Sequence, residues 1–336
     1  MEKLIHLEQE PSDAPLLTSA EVEAAGRQIA EIVANIETVI RGKHDQVELT
    51  VLCLLAEGHA LIEDIPGVGK TSLVNALSKT VDCEHRRIQF TPDVMPSDIS
   101  GFSIYNQKSG EFEFRPGAAM SNIVLADEIN RASAKTQSAL LEIMEERQVT
   151  VDGKTYPLSP PFMVLATQNP IDSLGTYQLP EAQIDRFMVK FSLGYPEFSD
   201  EVDVLLSGRQ AKREIRSAVT AEQVTALIDR CVRVCVSREM AGYIVRIVTA
   251  TRSNAEVLLG ASPRGSIALS AMARAYALSR GRGYVLPDDV KAMAPYVLAH
   301  RLILTQKARA EKREPTAIVK AVIAQVPVPV GADAAK

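Results

Sequence analysis

Residues 60–77 read ALIEDIPGVGKTSLVNAL. Ala60, Leu61 and Ile62 form a short apolar run of the kind that lies in a buried parallel strand. Pro66, Gly67, Val68 and Gly69 interrupt regular structure, and Leu73, Val74 and Leu77 then recur at helical spacing. Strand, glycine turn, Gly-Lys-Thr and helix make a phosphate-binding loop. Gly67 and Gly69 let the backbone wrap with its N–H groups towards an anion. A helix starting near Lys70 adds the positive end of its dipole. Pro66, Gly67, Val68, Gly69, Lys70, Thr71 and Ser72 are therefore expected around the phosphates of ATP. Lys70 reaches the β and γ phosphates, and the Thr71 hydroxyl holds Mg²⁺. The general pattern has glycine six residues before the lysine, where this chain has Asp64. A plain glycine turn before an exposed lysine is the bland alternative, and the motifs downstream weigh against it.

The first of these motifs is NIVLADEINRAS, residues 122–133. Ile123 to Ala126 is a second continuous apolar run, ending in Asp127 and Glu128. Ligands of open α/β sheets gather at that end of a strand. Asp127 is expected to hold Mg²⁺ through water and Glu128 to polarise the attacking water. Two carboxylates capping the next helix would be the structural alternative. A third apolar strand, FMVLAT at 162–167, precedes Gln168, Asn169 and Pro170. Asn169, at a strand tip beside the acidic one, is the candidate for touching the γ-phosphate or the water. LPEAQIDRFMVKF at 179–191 then presents Arg186 at the end of a short helix, before a strand 187–191.

Composition narrows the class. A chain of 336 residues predicts about two domains. With 46% apolar and 24% charged residues it reads as soluble and globular. A net charge of −5 argues against stable nucleic-acid binding as the main task. MEKLIHLEQEPSDAP has no apolar signal core, and the most apolar stretch, 47–62, is broken by Glu48, Glu57 and His59. No membrane span and a cytoplasmic location are expected. Four cysteines do not make a disulfide framework in a chain this long. Cys231 and Cys235 lie four apart on an expected helix, and small buried side chains in a reducing compartment is the favoured reading.

Residues 1–18 read as a flexible N-terminal segment. Ser19 is the expected N-cap of a helix to about Ile40, with Ile29, Ile32, Val33, Ile36 and Ile40 on its buried face. A second helix, about 44–57, follows the Arg41-Gly42 turn. Ile40 and Gly42, just ahead of the phosphate loop, are weaker candidates for contact with the base. HRRIQF at 85–90 reads as a strand, and TPDVMPSDISG as a turn and short helix. SIYNQKSGEFEF at 103–114 reads as a hairpin turning at Ser109-Gly110. QVTVDGKTYPL at 148–158 reads as another, turning at Asp152-Gly153. The first hairpin is either a substrate-contacting loop or surface decoration, with equal weight. After Tyr195-Pro196 the chain becomes helical, with start signals at Ser199, Thr220–Gln223, Ser237, Ser262-Pro263 and Pro287. Arg264 sits in the first turn of one of these helices, a poor place for a cation, so an anion is expected nearby. Basic clusters at 209–216 and 307–313 read as solvated faces. The resulting division is a flexible N-terminal segment 1–18, an α/β nucleotide-binding core 19–196, a helical lid 197–313 and a poorly ordered tail 314–336.

With EDIPGVGKT, RRIQFTPDVMPSDISG, VLADEINRA, VLATQNP, LPEAQIDRF and GASPRG in hand, the chain resembles the AAA+ ATPases, and within them the MoxR family. The likeness covers roughly residues 30–310, and Asp64 looks ordinary for that family. It implies a five-stranded parallel core flanked by helices, a helical lid and a ring, usually a hexamer. It makes Asn169 the first sensor, Arg186 an arginine finger acting on a neighbour's nucleotide, and Arg264 the second sensor, linking the lid to the γ-phosphate. It implies a chaperone-like role on protein clients, including those with a von Willebrand factor A domain. Arg131 is left between a subunit interface and a helix-cap or surface role. The runner-up is the motor subunit of a metal-chelatase-like complex. A nucleic-acid motor or transcriptional activator lacks its GAFTGA-type loop and helix-turn-helix here, and a monomeric kinase needs neither Arg186, Arg264 nor a lid.

Overall fold

The computed structural model describes residues 16–65, 67–169, 177–207 and 215–329. Helices Ser19–Glu37 (α1) and His44–Leu55 (α2) lead to strand Ala60–Glu63 (β1) and helix Lys70–Thr80 (α3). Strand His85–Gln89 (β2) and helix Pro96–Ser100 (α4) precede the hairpin of Gly101–Asn106 (β3) and Glu111–Pro116 (β4). Strand Ile123–Asp127 (β5) and helix Ala134–Glu146 (α5) are followed by the hairpin of Gln148–Val151 (β6) and Lys154–Pro157 (β7). Met163–Gln168 (β8), Glu181–Ile184 (α6) and Val189–Phe191 (β9) complete the α/β part. Helices Phe198–Ser207 (α7), Ala221–Arg233 (α8) and Arg238–Arg252 (α9) follow, then strand Val257–Leu259 (β10) and helix Pro263–Ser279 (α10). Pro287–Leu298 (α11), Ile303–Leu304 (β11), Gln306–Ala310 (α12) and Pro315–Gln325 (α13) close the described chain.

Five strands form one parallel sheet in the order β2-β5-β8-β1-β9. The apolar runs of β1, β5 and β8 are continuous because both faces are covered. Ile123, Leu125, Met163 and Leu165 enter the cluster shared with α1, α2 and α3. Their sequence neighbours Val124, Ala126, Val164 and Ala166 enter the opposite cluster with Leu140, Leu141 and Met144 of α5. That alternation is the strand period of two read out as two cores. The hairpins are joined by Phe114 stacked on Tyr156, with ring centroids 4.1 Å apart.

Several boundaries differ from the sequence reading. The α1 cap is Thr18, not Ser19: its hydroxyl accepts from Glu21 N while the Glu21 carboxylate accepts from Thr18 N at 2.8 Å. That capping box starts the helix one residue early, and the helix stops at Glu37 rather than near Ile40. The poorly ordered tail is corrected over Pro315–Gln325, a helix that opens on Pro315 and buries Ile318, Val319 and Val322 in the lid. The apolar face of α13 is what a composition-led reading of VPVPVGADAAK passed over. Helices α1 and α2 share one apolar cluster with α8, α9, α10 and α11, so the lid packs on them as well as on the sheet. Pro66, Pro170, much of the basic stretch 209–216 and the ends of the chain lie outside the described residues.

Candidate functional site

The C-terminal ends of β1, β2 and β5 open on a cleft of about 350 Å³. Its walls are Gly67, Gly69, Lys70, Thr71, Ser72, Arg87, Gln89, Asp127 and Glu128. Gly67 and Gly69 have φ of +90° and +98°, and a Cβ at either would meet open space. Backbone conformation, not room, is what demands glycine there. Lys70 Nζ donates to the carbonyls of Asp64 and Ile65, at 3.0 and 3.3 Å. Val68 turns away and packs on the apolar core.

Asp64 explains its departure from the general loop pattern. Its buried carboxylate accepts from the N–H groups of Leu193 and Gly194, at 2.5 and 3.1 Å. A glycine there would leave two backbone donors at the exit of β9 without this partner.

The acidic pair is held from three sides. Asp127, 9% exposed, accepts from Arg87 Nη2 and from Thr167 Oγ1, both at 2.6 Å. Glu128 is in the left-handed region, with φ 57° and ψ 50°, a conformation costing a non-glycine residue about 1–3 kcal/mol. Its N–H donates to Thr167 Oγ1 at 2.8 Å. Its carboxylate accepts from Gln89 Nε2 at 2.9 Å and pairs with Arg131 at 3.1 Å. Strained backbone held by surrounding partners is typical of reacting groups. Thr71 and Asp127 bring oxygen donors to one cleft, and such a set suits Mg²⁺, which takes one or two protein oxygens and completes its shell with phosphate and water.

Arg186 and Arg264 stand elsewhere. They line a second cleft of about 220 Å³ with Glu145, Asp185 and Arg301 among its walls, and no described phosphate-loop residue among them. Arg186 Nε donates to Glu145 Oε2 at 2.8 Å, and Arg264 pairs with the other oxygen of the same carboxylate. Burial raises the Glu145 carboxyl, but Arg264 and Arg186 outweigh it and hold it below the usual carboxylate range. The anion expected beside this helix N-terminus is, within one chain, the Glu145 carboxylate. Ser262, expected as a side-chain cap, makes no capping bond and donates instead to Asp185 Oδ2 at 3.1 Å.

The remaining candidates are spread out. Asn169 lies one residue past β8 and is buried, but is not a wall of the phosphate cleft. Ile40 packs on the apolar core and Gly42 lies against Asp200, whose Oδ2 would be 1.8 Å from an added Cβ. Neither lines the phosphate cleft. Cys231 is buried, its thiol pushed up to about 12, while Cys235 is exposed. Sequence reasoning missed Arg87, Gln89, Thr167, Glu145 and Arg301. Arg87 and Gln89 had a signal: two polar residues at strand period inside HRRIQF, on the face beside Asp127.

Comparison with known proteins matches this layout. Residues 59–189 fit the family described as "ATPase family associated with various cellular activities (AAA)", and residues 249–322 fit the AAA lid domain. A crystal structure of a candidate ATPase from Cytophaga hutchinsonii superposes with a TM-score of 0.86 at 40% identity, covering 92% of this chain and 97% of that one. An uncharacterised protein of Bacillus subtilis, YeaC, is 51% identical over 90% of this chain and 95% of its own length. Chaperone MoxR1 of Mycobacterium tuberculosis is 41% identical over 93% of this chain and 84% of its own. On the strength of that identity along nearly the whole chain, and of the fold and cleft above, the chain belongs to the MoxR family of AAA+ ATPases.

Proposed function

We propose that this chain hydrolyses ATP as one subunit of a closed ring, in which Arg186 and Arg264 of one subunit complete the phosphate cleft of the next, and that turnover remodels a protein client. The observation that carries the reading is the separation of the two clefts within one chain. Two arginines converge on one carboxylate at a distance from their own phosphate loop, so a phosphate able to replace that carboxylate comes from outside the chain. Closed symmetry makes such head-to-tail contacts repeat.

In this reading Lys70 and the loop N–H groups neutralise the phosphates. Thr71 and Asp127 would hold Mg²⁺, which would neutralise negative charge on the phosphates. Glu128, oriented by Gln89 and Arg131, takes the proton of the water that attacks the γ-phosphorus as the bond to the bridging oxygen breaks. Arg186 and Arg264 face the oxygens on which charge spreads. Asn169 is retained as the sensor of that water, and Ile40 and Gly42 as contacts to the base.

The client is proposed to be a protein: β3 and β4 expose Phe102, Ile104, Tyr105 and Phe112 on one hairpin. Proteins with a von Willebrand factor A domain are the first class to try, using Glu128→Gln as an ATP-bound trap. The test of the ring is complementation. Lys70→Ala and Arg186→Ala subunits, co-expressed with different tags and purified as mixed oligomers, should be more active than either alone. Mixed oligomers as inactive as their components would overturn the trans reading.

A further inference from the structure

Arg301 closes the short 3₁₀ turn Ala299–Arg301 after α11, and its side chain is only 2% exposed. Among the described residues, its hydrogen bonds to the α/β part all go to one stretch of chain. Nε donates to Asp185 Oδ1 at 2.8 Å. Nη2 donates to the carbonyls of Asp185 and Phe187 at 3.1 and 2.7 Å, and Nη1 to that of Met188 at 3.2 Å. That stretch is the one that carries Arg186. It runs between α6, four residues long, and β9, three residues long, which is the outer strand of the sheet. Ladder pairing of β9 with β1 begins only at Val189, so the carbonyls before it need another donor. One lid guanidinium, with its planar fork of donors, supplies it.

The same cluster reaches the second arginine. Asp185, which takes Arg301 on one carboxylate oxygen, takes the Ser262 hydroxyl on the other. Ser262 stands at the N-cap position of α10, without a capping bond, and the second residue of that helix is Arg264. Gly265 leaves room for this: a Cβ there would lie 3.4 Å from Arg301 Cδ and 3.3 Å from Leu298 Cδ2. Arg186 and Arg264 are thus bridged by Glu145 in front and by Asp185 with Arg301 behind.

We infer that Arg301 is a positioning residue for catalysis: it fastens the Arg186 segment to the lid, so that Arg186 and Arg264 meet a neighbour's phosphate as one rigid body. The inference rests on the trans reading above. Its test uses the mixed oligomers of Lys70→Ala and Arg186→Ala. In the productive interface, the Lys70→Ala subunit supplies only the arginine edge and the Arg186→Ala subunit only the phosphate cleft. Arg301→Lys keeps the charge and removes the fork. Placed in the Lys70→Ala subunit it should lower turnover of the mixture about ten- to a hundredfold, the usual scale of a small misplacement, with KM for ATP little changed. Placed in the Arg186→Ala subunit, where the edge is already idle, it should cost less than about twofold. A residue that only holds the fold together gives equal losses in both positions, and that result overturns the inference, as does no loss in either. Should Arg301→Lys fail to fold, Asp185→Asn loosens the same fastening at constant volume and should show the same asymmetry, with a loss of about tenfold in the Lys70→Ala position. Inactivity of the parent mixture before Arg301 is touched overturns the trans reading instead, so the two failures are distinct.

Discussion

The phosphate cleft and the arginine edge both set arginines against carboxylates, yet they are assembled differently. In the first, Arg87 and Arg131 pair with the carboxylates that carry the proposed chemistry. Its parts come from adjacent strand ends and one loop. In the second, a carboxylate with no proposed role in hydrolysis gathers arginines from α10 and from the chain before β9. Its parts come from two layers of the molecule. The first has a base, oxygen donors for a metal and an anion cradle, but its arginines are paired with its own carboxylates. The second has Arg186 and Arg264 and no cradle. Under the proposed function each is half of one site, and a ring joins the halves.

That division can be broken most strongly at its cations. Arg186→Ala should lower turnover about 10³- to 10⁵-fold while ATP still binds. Glu128→Gln should lower it about 10²- to 10⁴-fold, again with ATP retained. The two look alike alone and separate in mixtures. Glu128→Gln should rescue Arg186→Ala, because the lesions lie in different halves. It should not rescue Lys70→Ala, because both lesions lie in one cleft. Rescue in the second mixture would mean the halves are drawn wrongly.

Arg264→Ala sharpens the comparison at lower amplitude. Turnover should fall at least about tenfold, while equilibrium affinity of the subunit for ATP shifts less than about threefold, measured by fluorescent-nucleotide titration. A weaker affinity with unchanged kcat would return Arg264 to its own chain's nucleotide.

The smallest effect is on stability and concerns the second cleft only, whose wall includes His59. Nδ1 of His59 accepts from Val164 N at 2.9 Å and Nε2 faces Met144 O at 3.1 Å. Burial brings its pKa down to about 4 from 6.5. The folded value lies below the unfolded one, so the unfolded chain binds more protons between them and stability falls as pH drops through that window. Between pH 7.5 and 5.5 the loss from this residue is about 1.4 kcal/mol. His300, also pushed well below its ordinary value by burial, adds in the same direction. Urea unfolding at the two pH values should show the difference, and His59→Gln should shrink it. Equal stability at both would remove the buried imidazoles from the account.

The same contrast explains what could be read from the chain alone. Lys70, Thr71, Asp127 and Glu128 sit in runs where strand, turn and helix follow one another, so local periodicity points at them. Arg264 was visible as an odd cation in the first turn of a helix, a placement that called for an anion, and Arg186 as a cation at the end of a short helix. The identity of that anion was not visible, because Glu145 is 41 residues from Arg186 and 119 from Arg264. Nothing in LEIMEERQ distinguishes Glu145 from its neighbours Glu142 and Glu146. Arg301 was hidden for a related reason: it follows a helix like any surface basic residue, and only folding shows it buried. The tail was misread because Ile318, Val319 and Val322 make a short apolar stripe that gains meaning only against α9 and α11.

Asp64 has a consequence beyond its place in the loop. Its carbonyl receives Lys70, and its carboxylate receives the N–H groups where the chain leaves the sheet for the helical part. The phosphate loop and the root of the lid therefore meet at one residue, through its carbonyl on one side and its carboxylate on the other, and it is the residue at which this chain parts from the general loop pattern.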